Sequence, residues 1–110
     1  MRLIIDNGIS INMSKQIVGI FKALSDETRI DILRHLIGEK EIACKNLVDK
    51  FPLSQPTLSH HFNKLIDANI LHKRKDGVSH IYSINYHYLR QLGINIQKIV
   101  TQSVSKGGSV

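Results

Sequence analysis

Apolar positions recur at helical spacing along most of the chain and alternate only in one short stretch past its middle. From Met13 to Leu24, Ile17, Ile20, Phe21 and Leu24 share one helical face, with Ser14 as a cap. The segment SDETRIDILRHLIG follows. Its N-cap is expected at Ser25, with Asp26 and Glu27 in the first turn, where the helix dipole favours anions. Ile30, Leu33 and Ile37 form the stripe, Ile32 and Leu36 widen it, and Gly38 suits the stop. A shorter helix is predicted from Glu41 to Phe51 on Ile42, Leu47, Val48 and Phe51, ended by Pro52. Pro52 and Leu53 then turn the chain into Ser54, the N-cap of a fourth helix. Pro56 falls in its first turn, where a missing N–H does no harm. Leu58, Phe62, Leu65 and Ile66 are its buried stripe. The third helix, the proline turn and the fourth helix together make a helix-turn-helix.

The pattern then changes period. Ile70 to Lys75 is β-compatible, Asp76-Gly77 is a hairpin turn, and Ser79 to Ile84 alternates as the returning strand. A last helix starts near Asn85 and carries Leu89, Leu92, Ile96, Ile99 and Val100, mildly weakened by Gly93. At the other end Asn7-Gly8 lies between two β-branched runs, a hairpin signal. An isolated hairpin is marginal in water and needs something to lie on. The alternatives are a loose tail, or leader residues before a start at Met13. The expected organisation is an arm or hairpin over 1–12, one domain over 13–102 and a flexible tail over 103–110. The fold class is mainly α with a small β wing, a winged helix-turn-helix of about five helices plus a two-stranded antiparallel hairpin.

A chain of 110 residues, 42% of them apolar, suffices for one folded domain with a modest core and not for two. No apolar run approaches the ~18 residues of a membrane span, and no secretory leader is visible, so a cytoplasmic protein without membrane contact is expected. A single cysteine, Cys44, agrees with a reducing compartment. The net charge of +6 is uneven. Residues 1–49 carry seven Lys/Arg and seven Asp/Glu, whereas residues 50–110 carry eight Lys/Arg against Asp67 and Asp76. A basic surplus beside a candidate reading helix points to a polyanion partner. The first and last helices are also more apolar than so small a core needs. Ile17, Ile20, Phe21, Leu89, Leu92, Ile96, Ile99 and Val100 are therefore expected at a dimer interface. The alternative is that they cover the domain's own core.

The segments FKALSDETRIDILRHL (21–36), LSQPTLSHHFNKL (53–65) and GVSHIYSI (77–84) resemble the ArsR/SmtB family of bacterial winged-helix repressors. The resemblance runs from about Ile17 to Leu92. It implies a homodimeric DNA-binding repressor that sits on an operator and, in many members, leaves when an effector binds. The wing departs from the pattern: the position after its glycine, often Arg in the family, is Val78 here.

A reading helix inserts its N-terminal part into the major groove. Gln55, Pro56 and Ser59 lie in the first turns, and Thr57, His60 and Lys64 project away from the Leu58/Leu65 stripe. Gln55 can pair with adenine, Thr57 and Ser59 with base edges or phosphates, and Pro56 can touch a thymine methyl. Ser54 stands at the start of the same surface. On the wing, Lys73, Arg74, Lys75 and His80 would neutralise phosphates. His61, beside the stripe, reads as a structural histidine bonded to backbone, and Arg29 as the partner of a nearby carboxylate.

No metal site and no cofactor are expected. The arsenic-type members resemble this chain at EIACKNL (41–47) but place two cysteines where Ala43 and Lys45 stand, and one thiolate is not a closed soft-metal site. Cys44 reads as a small buried side chain. The zinc-type members place ligands early and late in the last helix. His87 is present here, with no later His, Asp or Glu. His35 shows no ligand spacing, and His72 and His80 can at most face each other across the wing. Catalysis is disfavoured, because there is no Gly-rich phosphate loop, carboxylate pair or Ser-His-Asp arrangement. The expected partners are an operator in double-stranded DNA and a second copy of the chain. The rival reading is a protein-interaction module that holds a different protein on its first and last helices.

Overall fold

The computed structural model describes residues 9–102, with side chains over 14–101. Its first helix, α1 (Ile9–Leu24), begins earlier than the pattern from Met13 suggested. The second run of the expected N-terminal hairpin, Ile9 to Asn12, is therefore helical, and Asn7-Gly8 lies outside the described residues. The next helix, α2 (Glu27–Ile37), is capped by Asp26 and not by Ser25. Asp26 is extended (φ −159°, ψ 126°) and its carboxylate accepts the Arg29 N–H at 3.1 Å. The Ser25 hydroxyl instead donates to the Lys22 carbonyl, closing the end of α1.

The expected third helix is largely replaced. Ile42–Ala43 forms a short strand, β1, and the helix α3 (Cys44–Val48) is only five residues long. Ile42 pairs with Tyr82 and Ala43 with Ile81, so a neighbouring strand edge offers the backbone bonds that a first helical turn would leave open. The fourth helix, α4 (Gln55–Asp67), has the expected Ser54 cap. It ends where Asn69 takes φ 61°, with the Ile70 N–H reaching back to the Leu65 carbonyl at 2.9 Å. That closure is the Schellman arrangement, which Asn tolerates better than most residues.

The wing strands are β2 (Leu71–Asp76) and β3 (Ser79–Ile84). Asp76 is itself paired, opposite Ser79, so the turn residues are Gly77 and Val78. Gly77, at φ 65°, supplies the positive φ that a two-residue hairpin requires. The sheet is three-stranded and antiparallel in the order β1-β3-β2. The expected final helix is two: α5 (Tyr86–Gln91) and α6 (Ile96–Gln102). Gly93 sits at φ 78°, and the Ile94 N–H bonds the Leu89 carbonyl at 2.9 Å. Gly93 thus ends one helix, and the Asn95 side chain starts the next by accepting the Lys98 N–H. Six helices and three strands are thus seen among the described residues, on the expected winged plan.

One core joins these elements. Leu33 and Leu36 of α2 meet Leu58, Phe62 and Leu65 of α4, Tyr82 and Ile84 of β3, and Leu89, Ile96 and Val100 of α5 and α6. Burying each large side chain contributes roughly 1.5–3 kcal/mol. Phe62 and Tyr82 pack at 4.6 Å between ring centroids, which fixes the wing sheet on α4. Arg34 of α2 donates from Nε to the Val100 carbonyl at 2.9 Å and from Nη1 to Asp31 at 2.7 Å, anchoring α6.

This packing answers part of the interface expectation. Ile20, Leu89, Ile96 and Val100 lie in the chain's own core, at most 1% exposed, so they present no surface in this conformation. Ile17 and Leu92 are half-buried. Phe21 and Ile99 stay 58% and 45% exposed, joined by Val18 at 51%.

Candidate nucleic-acid interface

The surface is built around the N-terminus of α4. Ser54 is extended (φ −65°, ψ 155°); its Oγ accepts the Thr57 N–H at 3.3 Å and donates to Thr57 Oγ1 at 2.9 Å. Pro56 occupies the second helical position, where it donates no bond in any case. Leu58, Phe62 and Leu65 anchor one side in the core. Gln55, Pro56, Thr57, His60 and Lys64 are exposed on the other, and Ser59 is half-buried. Gln55, Pro56, Thr57 and His60, expected from the sequence to contact DNA, thus stand on the free face of a helix seated in the core. Lys64 is set apart from the rest. It lines a hollow of about 310 Å³ with Lys22, Arg29 and Asp67, between α1, α2 and α4.

The wing does not present its three cations together. Strand alternation puts Lys73 opposite Tyr82 and Lys75 opposite His80, on the face that packs against α4. Arg74 lies opposite Ile81, on the other face. There its Nε and Nη2 donate to both oxygens of Glu41, at 2.8 and 2.7 Å. The hydrogen bonds from Arg74 hold the Glu41 carboxyl below its ordinary range, and Glu41 raises Arg74 in turn. His72 pairs with Ser83 and His80 with Lys75, so the two histidines do not face each other.

The wing and α4 meet in a recess of about 290 Å³ lined by Cys44, Lys45, Gln55, Val78, Ser79 and His80. Gln55 and His80 are thereby brought to one recess. Lys45 and Cys44 were not foreseen there. Their helix is too short to show a periodic face, and only the fold of β1 onto β3 brings it alongside. Cys44 is half-buried rather than fully enclosed. Burial first, and then the charge and hydrogen bond of Cys44, push the Tyr82 phenol up to about 12.

Behind the surface, His61 departs from expectation. Its Nδ1 is buried without a hydrogen-bond partner and faces Asp26 Oδ1 at 3.8 Å, not a backbone group. Burial pushes the Asp26 carboxyl up. The Arg29 N–H, the charges of His61 and Arg29, and the Thr28 N–H outweigh it, and Asp26 lies below its ordinary range. The Arg29 charge thus reaches the Asp26 carboxylate, but the Arg29 Nε is buried without a hydrogen-bond partner and the expected direct pairing with a carboxylate is not seen among the ion pairs of the described residues. Among the described residues no three His, Cys, Asp or Glu side chains group as metal ligands, and no helix is long and apolar enough to cross a membrane.

A capped helix with an exposed polar N-terminus, a core-anchored back and a cationic hairpin beside it defines a winged-helix DNA-binding domain. Comparison with known proteins makes the assignment narrower. A helix-turn-helix domain family matches residues 24–74. The chain is 38% identical over 87 residues to the arsenical resistance operon repressor of Staphylococcus xylosus, covering 79% of this chain and 83% of that protein. It is 34% identical to the cadmium resistance transcriptional regulatory protein CadC of Listeria innocua, over 74% of this chain and 71% of that one. An ArsR-like transcriptional regulator from Rhodococcus sp. RHA1 superposes with a TM-score of 0.67 at 25% identity, over 80% of this chain and 82% of that one. The chain belongs to the ArsR family of winged-helix proteins. It is a DNA-binding transcriptional regulator and not an enzyme.

Proposed function

We propose that the chain is a cytoplasmic homodimeric repressor on a pseudo-palindromic operator, with half-sites about one helical turn (~34–36 Å) apart. The observation that carries this is the exposed run Gln55, Pro56, Thr57 and His60 beside exposed Lys73 and Lys75, on a helix whose other side is buried. In this reading Gln55, Thr57, Ser59 and His60 contact bases, and Ser54, Lys64, Lys73, Lys75 and His80 contact backbone. The second copy docks on Ile17, Val18, Phe21 and Ile99, the apolar side chains that the core leaves at least partly uncovered.

The test is fluorescence anisotropy with duplexes from upstream of the protein's own gene, alongside sizing of the free protein. Gln55→Ala should narrow the gap between specific and mixed-sequence duplex by a factor worth about 1–3 kcal/mol. Phe21→Glu should shift the sizing profile from dimer to monomer. A Gln55→Ala protein with undiminished sequence preference would refute the assigned reading role. The positions of the arsenical-type thiolate pair hold Ala43 and Lys45, so we also propose that arsenite leaves operator binding unchanged.

A further inference from the structure

The Glu41–Arg74 pair has no part in the reading surface, yet it occupies one of the wing's three cations. A guanidinium that donates from Nε and Nη2 to two oxygens of one oxyanion has the fork geometry with which arginine takes a phosphate. Arg74 is opposite Ile81, and Ile81 is opposite Ala43. Glu41 stands two residues before Ala43, so the bridge crosses β3 from one edge of the sheet to the other. Both side chains are largely exposed, at 54% and 44%, and open to competition from any other oxyanion.

We propose that Glu41 is an internal stand-in for a DNA phosphate: it keeps Arg74 off the duplex, so that of the run Lys73-Arg74-Lys75 only the two lysines hold the backbone. The inference rests on the reading of the wing as a phosphate contact. Carboxylate and phosphate offer Arg74 similar forks. A phosphate that displaced Glu41, however, would leave its carboxylate unpaired beside a polyanion, and that repulsion favours the internal bond. Glu41 is thus a positioning residue that lowers the domain's affinity for backbone without touching DNA. A regulator that must leave its operator gains from limited affinity for every other sequence.

Removing Glu41 should release one extra phosphate contact per wing. Binding to an upstream duplex and to a mixed-sequence duplex of equal length is measured between about 50 and 200 mM salt. In Glu41→Gln the slope of log affinity against log salt should steepen by about 0.9 per wing, which enlarges the loss across that range by ~3.5-fold per wing. Glu39→Gln makes the same charge change on a side chain outside the ion pairs of the described residues, and it should keep the wild-type slope. Arg74→Ala should leave the wild-type slope unchanged and cancel the gain when added to Glu41→Gln. Equal slopes for Glu41→Gln and wild type would overturn the proposal. So would an Arg74→Ala protein that loses as much slope as Lys73→Ala. A wild-type protein that binds neither duplex at about 50 mM salt would overturn the wing reading and this inference with it.

Discussion

Ser54 carries two roles that one pair of substitutions separates. Its hydroxyl accepts the Thr57 N–H and donates to Thr57 Oγ1, so it organises the first turn of α4. It is also exposed at the edge of the proposed DNA surface. Loss of an N-cap costs about 0.5–2 kcal/mol. The N–H···O distance is long at 3.3 Å and the site is open to water, which places Ser54→Ala in the lower half, about 0.5–1 kcal/mol. In a chain of this size that lowers Tm by ~2–8 °C. Ser54→Asp should differ. A carboxylate caps as well as a hydroxyl and is favoured by the helix dipole, and the Thr57 hydroxyl can turn round to donate to it. Its Tm should therefore stay close to wild type. It also sets a negative charge against the duplex, so it should bind DNA more weakly than Ser54→Ala does. Thermal melts followed by circular dichroism and anisotropy titrations at one salt concentration read the two effects. A Ser54→Asp protein that melts as low as Ser54→Ala would refute the capping argument. One that binds DNA as tightly as wild type would refute the placement of Ser54 beside phosphate.

Two further outcomes follow from the fold. The Tyr82 phenol titrates near 10 when unfolded and is pushed up to about 12 when folded, by burial first and Cys44 second. A raised pKa gives stability that is complete below about pH 10 and lost as pH climbs toward about 12, on the order of 2 kcal/mol. Tyr82→Phe should flatten that alkaline limb in urea titrations. Part of it should remain from Tyr86, which burial also raises. Identical limbs in the two proteins would count against the assignment. Gly93→Ala should cost about 1–2 kcal/mol from backbone strain at φ 78°, since the space around a Cβ there is open. Gly38→Ala, equally open but at φ −83°, should be neutral or stabilising. Matching denaturation midpoints for these two variants would refute the strain argument.

Local signals sufficed wherever a residue's role depends on its own turn of chain. The stripe of α4, its Ser54 cap, the Pro56 start and the two wing strands are all legible in the order of residues, because capping and periodicity act over three or four positions. The exposed face of α4 follows from the same stripe, since the side opposite Leu58 and Leu65 must face outward. Choices between near-equal local options were settled by packing. Asp26 and Ser25 are both good caps, and the chain takes Asp26, whose carboxylate also faces His61 of α4. Ile42 and Ala43 fit a helix by pattern, but β3 offers them backbone partners from some forty residues away. Gly93 is tolerable within a helix by propensity alone. The turn it permits instead brings Ile96 and Val100 into the core, removing them from the surface that their apolar character suggested. The run Lys73-Arg74-Lys75 reads as one basic patch along the chain. The sheet divides it between two faces, and a carboxylate thirty-three residues away claims the middle cation. Order along the chain determined the stripe and cap of α4 and the two wing strands. Tertiary structure decided which of their side chains remain free, because burial, strand parity and long-range ion pairs depend on what lies across the fold.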